Sequence, residues 1–232
     1  MMHARERMLG RLRAAAPAPA QDDVAVLDDR IAAHYAHTHH VHAAPEPAQL
    51  TDALESALRA ARAEVFRAAA DDWPALLADR LARHGVKRLL CDIASPEGAA
   101  LAGALPAQVE ALPFRGPLET WKPELFGTVD AGFTVARSAI AATGTLVLAP
   151  DAGTPRTVSL VPPLHVALVY AGSLHATLLD AALAERWRDG MPTNLVLASG
   201  PSKTSDIQQT LAFGAHGPRW MWVVIVTGGS RA

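Results

Sequence analysis

Short apolar runs alternating with amphipathic helical stretches predict an α/β fold, an open and mostly parallel sheet with helices on both faces. Three observations carry that prediction. Val86–Cys91, Val109–Phe114, His165–Tyr170 and Trp220–Val226 are apolar runs of strand length. Between them lie segments with helical spacing, such as Leu50, Leu54 and Leu58. Half of the 232 residues are apolar, which suffices for a sizeable core. The expected division is an N-terminal helical and His-rich extension over 1–48, followed by an α/β domain over 49–232.

Bulk properties narrow the function classes. A formal net charge of −2 leaves no footprint for nucleic acid or an anionic membrane. No apolar run reaches the ~20 residues of a membrane-crossing helix. The charged start, MMHARERMLGRLRAAA, lacks the apolar segment of a secretory signal. The single cysteine, Cys91, can close no internal disulfide and cannot alone hold an iron–sulfur cluster or a Cys-rich zinc site. A reducing, cytoplasmic setting is therefore expected.

In chain order, Arg5 to Ala16 reads as a short basic helix and Pro17 to Ala20 as a linker. His34, His37, His39, His40 and His42 follow within one segment. Imidazoles at such spacing can share a face and bind zinc, nickel or copper. No carboxylate or thiolate stands among them to orient a ligating ring, so a solvated segment or strand edge is preferred and no metal site is assigned. Gln49 to Ala70 reads as one amphipathic helix, and Trp73 to His84 as another, ended by Gly85. After the Val86 strand come a helix over Pro96–Leu105 and the Val109 strand. Leu118–Gly127 reads as loop, with Trp121 and Phe126 as core plugs. Two short strands flank Ala142-Thr143-Gly144-Thr145, where Gly144 supplies a positive φ in a tight hairpin. Ser173 is placed as the cap of a helix running to Arg188. The last strand, Trp220–Val226, is apolar on both faces and should be central.

The stretch from Leu195 to Ile207 draws most attention. Leu195-Val196-Leu197-Ala198 is strand-like, breaks at Ser199-Gly200-Pro201-Ser202, and restarts with helical spacing at Ile207 and Leu211. A strand entering a helix through such a turn would present backbone N–H groups and the positive end of the helix dipole to an anion. Ser199, Gly200, Ser202, Lys203 and Thr204 are then candidate anion-binding residues, and Thr143, Gly144 and Thr145 could add hydroxyls and a backbone N–H. An ordinary well-capped strand-to-helix turn accounts for the same residues. His216 is a candidate general acid/base, with Asp206 to orient it. A structural histidine and a helix cap are the plainer roles for these two. His165 and Arg156 are weaker candidates.

Four segments, Ala139 to Leu148, Ser159 to Ala167, Ser199 to Ile207 and Gly214 to Pro218, resemble in order and spacing the lactate utilisation protein C family, whose shared module is the LUD domain. The likeness is strong over roughly 125–227 and general before it. It implies a fold similar to that of glucosamine-phosphate isomerases, ribose-phosphate isomerases and CoA transferases. It also implies a part in oxidising L-lactate to pyruvate beside two partner proteins that carry the iron–sulfur clusters, with no cofactor bound by this chain. The family commonly has glutamate where Ala142 stands, so a mechanism through that carboxylate is unavailable here. Lys203 stands where arginine is common, which keeps charge but loses bidentate reach.

Two functions are thus expected to compete. One is a non-redox component of a lactate-oxidising system that binds a small carboxylate or phosphate, or docks an iron–sulfur partner. The other is a free-standing isomerase or transferase acting on a sugar phosphate or acyl-CoA. A histidine-based metal buffer is a third, plainer option.

Overall fold

The computed structural model describes residues 4–15, 24–38, 45–205 and 211–229, in two units, Met1–Ala44 and Pro45–Ala232. The first unit contributes helices α1 (Ala4–Ala15) and α2 (Val24–Thr38). α1 buries none of its side chains. On α2, the His34 ring meets Tyr35 edge-on at 5.3 Å between centroids. The His37 side chain and His39, His40 and His42 lie outside the described residues. Among the described residues no group of three His, Cys, Asp or Glu could hold a metal ion, and no helix is long and apolar enough to cross a membrane.

The second unit starts with α3 (Pro47–Ala60), where Pro47 suits the first helical turn and Leu54 and Leu58 are fully buried. The helix expected to run to Ala70 stops ten residues earlier. Arg62 N–H donates to Arg59 O at 2.9 Å and Ala63 N–H to Leu58 O at 2.9 Å, the paired bonds of a Schellman stop. Glu64–Ala69 then forms β1, burying Val65 and Ala68 while Arg67 reaches back to Asp52 and Glu55, both at 2.6 Å. α4 (Trp73–His84) does end at Gly85, with φ +85. Next come β2 (Arg88–Leu90), α5 (Pro96–Ala104) and β3 (Glu110–Leu112).

Leu118–Gly127 is a helix, α6, rather than a loop. Trp121 and Leu125 lie one turn apart and are buried, whereas Phe126 is exposed and plugs nothing. β4 (Ala131–Val135) follows without a signal that the expectations used. β5 (Ser138–Ile140) and β6 (Thr145–Leu148) are the two strands expected around Gly144. After the single turn α7 (Thr157–Leu160) come β7 (Leu164–Tyr170), β8 (Leu174–His175) and α8 (Leu178–Ala184). Thr177, not Ser173, caps α8, accepting from Asp180 N–H at 3.2 Å. Ser173 Oγ instead donates to Tyr170 O at 2.9 Å. The remaining strands are β9 (Val196–Ala198), β10 (Lys203–Ser205), β11 (Leu211–Phe213) and β12 (Trp220–Thr227).

Six strands form one parallel sheet in the order β1-β12-β7-β4-β2-β3. β12 is hydrogen-bonded on both sides and buried on both faces, as its composition predicts. Trp222, Val224 and Val226 pack with Leu77 and Leu81 of α4 and Leu101 of α5. Met221, Val223 and Ile225 pack on the opposite face with Leu54 and Leu58 of α3 and with Leu146 and Leu148 of β6. Helices therefore cover both faces, and a four-stranded sheet, β8-β5-β6-β9, shares the second face with α3. β6 and β9 pair antiparallel, Leu146 opposite Ala198, which brings the Thr143–Thr145 turn beside Ser199.

Candidate functional site

The decisive local difference from expectation lies after β9. The chain does not enter a helix: Lys203–Ser205 is a strand, paired antiparallel with Leu211–Phe213, Lys203 opposite Phe213. The Ser202 backbone is also committed on both sides. Ser202 N–H donates to Pro218 O at 2.8 Å, and Ser202 O accepts from Gly214 N–H at 3.0 Å. The periodicity of Ile207 and Leu211 suggested a helix start. Pairing with β11 overrides it, so among the described residues no helix start presents its dipole to an anion there.

Side chains line a cleft at the same place. A cleft of about 420 Å³ is lined by Arg62, Leu197, Ser199, Gly200, Lys203 and Phe213, among others. Arg62 and Lys203 are both exposed, and among the described residues neither forms an ion pair with a carboxylate. The Arg62 guanidinium lies over the Phe213 ring, 5.0 Å from its centroid. Behind the cleft runs a chain of hydroxyls. Thr143 Oγ1 and Thr145 Oγ1 are 2.7 Å apart, and Thr145 Oγ1 and Ser199 Oγ are also 2.7 Å apart. Gly144 allows that turn to sit against α3. Its φ is +61, and a Cβ there would fall 2.8 Å from Ala57 Cβ and 2.9 Å from Leu58 N.

The expected anion-binding residues thus separate into groups. Ser199, Gly200 and Lys203 line the cleft directly. Thr143 and Thr145 support Ser199 through the hydroxyl chain, and Gly144 supplies close packing. Ser202 is held in the turn against Pro218, and Thr204 belongs to the hairpin without lining the cleft. His216 is exposed on the turn before β12, and Asp206 lies outside the described residues. Ala142, where a carboxylate would stand, is exposed, with its N–H donating to Ala176 O at 3.1 Å.

His165 is buried against Thr134, Nε2 to Oγ1 at 2.9 Å, and burial pushes its pKa down to about 4. It is a neutral core histidine. Burial, with Asp92 adding its charge, pushes the Cys91 thiol up to about 12 and leaves it unreactive. Arg62 and Phe213 are the cleft residues that the sequence did not reveal. Reading one helix from Gln49 to Ala70 placed Arg62 mid-helix and hid it.

Comparison with known proteins now adds the family. The LUD domain model matches residues 51–226. The chain belongs to the LUD domain family. It is similar to an uncharacterized protein of Neisseria meningitidis serogroup B, 39% identical over 173 residues, covering 74% of each chain. It also resembles proteins named lactate utilization protein C. That of Exiguobacterium sp. is 36% identical over 107 residues, 44% of this chain and 46% of the relative. That of Deinococcus radiodurans is 38% identical over 101 residues, 42% of this chain and 46% of the relative. Matched segments thus span under half the length of these named relatives. Among solved structures, a DUF162 family protein from Deinococcus radiodurans shares the fold, with a TM-score of 0.56 and 24% identity over 79% of this chain and 99% of that one. The site residues 143–145, 199–203 and 62 all fall within the LUD match.

Proposed function

We propose that this LUD domain chain serves L-lactate utilisation as a non-redox component that binds a small organic anion in the Arg62–Lys203 cleft. It works beside partner proteins that hold the iron–sulfur clusters. The observation that carries the binding is one cleft with two cations, no ion-paired carboxylate among the described residues, and a hydroxyl chain ending at Ser199. Guanidinium and ammonium groups supply charge, and Ser199 supplies a directional hydrogen bond. The likeness to proteins named lactate utilization protein C supports the pathway. The lone, buried Cys91 suits a division of labour in which clusters sit elsewhere.

A glutamate-based transferase has no counterpart here, because Ala142 offers no nucleophile. The test pairs growth with binding. Deletion of the chain should abolish growth on L-lactate, with rescue by the parent but not by Lys203→Ala. The purified parent should bind organic anions in calorimetry. Unimpaired growth of the deletion strain would overturn the lactate assignment, and turnover of a sugar phosphate or acyl-CoA by the purified chain would favour the free-standing enzyme.

A further inference from the structure

We infer that Arg62 is the specificity-determining residue of this cleft, and that together with Lys203 it selects an organic dianion with an apolar body, a dicarboxylate or phosphate ester, over a three-carbon monoanion. The inference rests on reading the cleft as a binding site.

Arg62 sits at the residue after the α3 cap, with φ +70. That position in a Schellman stop favours glycine, because a Cβ is crowded by the neighbouring carbonyl. The corresponding stop of α4 uses Gly85 at φ +85, while that of α8 carries Arg186 at φ +54, so it is where the Arg62 guanidinium goes, more than its φ, that marks it. Conformational preference alone thus works against arginine at 62. Its guanidinium leans over Phe213 and lines the cleft, where the backbone stop has no use for it.

Lys203 pairs across the β10–β11 hairpin with Phe213, so the ring stands next to both cations. Two like charges around one opening repel each other until a ligand neutralises them, and a ligand with two negative charges does so most fully. The walls are apolar at Leu197, which is half exposed, and at Pro201 and Phe213. A volume of about 420 Å³ falls in the range of organic ligand sites and far exceeds what a three-carbon acid fills.

Calorimetry with L-lactate, succinate and phenyl phosphate tests this on the full chain, the parent beside Arg62→Gly and Arg62→Lys. The parent should bind at least one of the two dianions about tenfold or more tighter than lactate, roughly one extra charge contact. Arg62→Gly should lose that preference while its urea unfolding midpoint stays level with or above the parent's, since glycine relaxes the stop. Arg62→Lys should keep part of the preference. Equal dianion affinity in the parent and Arg62→Gly would overturn the role of Arg62. Lactate binding as tightly as the dianions would overturn the ligand class. A lower midpoint for Arg62→Gly would show that arginine serves the fold instead. A parent that binds none of the three would sink the cleft reading itself, a result distinct from a parent that binds and a variant that binds equally.

Discussion

Acid should weaken this fold through His165 well before its surface carboxylates titrate. The imidazole is buried in β7 against Thr134, and burial holds its pKa at about 4, below the ordinary 6.5. In the unfolded chain the ring takes up a proton near pH 6.5, while in the fold it stays neutral down to about pH 4. Between those values the unfolded state binds more protons, so stability is full above about 6.5 and falls as the pH drops. At about 1.36 kcal/mol per unit the full effect is about 3 kcal/mol, of which about 2 kcal/mol is gone by about pH 5. Urea unfolding of the parent and of His165→Gln, at about pH 7 and about pH 5, isolates this share. Glutamine keeps a polar partner for Thr134 but cannot titrate. Whatever glutamine costs at neutral pH, the parent should lose about 2 kcal/mol more than the variant between the two conditions. Parallel losses would refute the assignment of a neutral, buried imidazole.

Gly144→Ala should destabilise by about 2–4 kcal/mol, from a left-handed backbone forced on alanine and a methyl group driven into α3. A parent-like urea midpoint would mean that the turn stands off the helix. Cys91, with its thiol pushed up to about 12 and its side chain buried, should react with iodoacetamide at neutral pH only as fast as the chain opens. Rapid labelling of the folded protein would contradict that burial.

Strongly apolar segments were legible in the sequence because burial on both faces leaves only one solution for runs such as Leu164–Tyr170 and Trp220–Thr227. Gly85 and Gly144 were legible because glycine marks backbone that other residues avoid. What failed did so where tertiary pairing outweighed local signal. Glu64-Val65-Phe66-Arg67 follows a good helix without a glycine stop, since Arg62 occupies that place, so β1 merged into α3. Lys203–Ser205 carries cap-like residues, yet it gains more from pairing with Leu211–Phe213 than from starting a helix. The motif residues at 143–145 and 199–203 are neighbours in space because β6 pairs with β9, a pairing the sequence does not show. The positive charge at the cleft comes from two side chains, Lys203 on β10, which the sequence singled out, and Arg62 just past the end of α3, which it did not.

The serial arrangement of Thr143, Thr145 and Ser199 has a consequence of its own. Each hydroxyl carries one hydrogen, so Thr145 can donate into only one of the two links, and when its hydrogen is used within the chain both links point the same way. Rotating the hydrogens in concert reverses the polarity of the wire without moving a heavy atom. Ser199 can therefore meet whatever occupies the opening as a donor in one setting and as an acceptor in the other, a tolerance for protonation state written into three side chains.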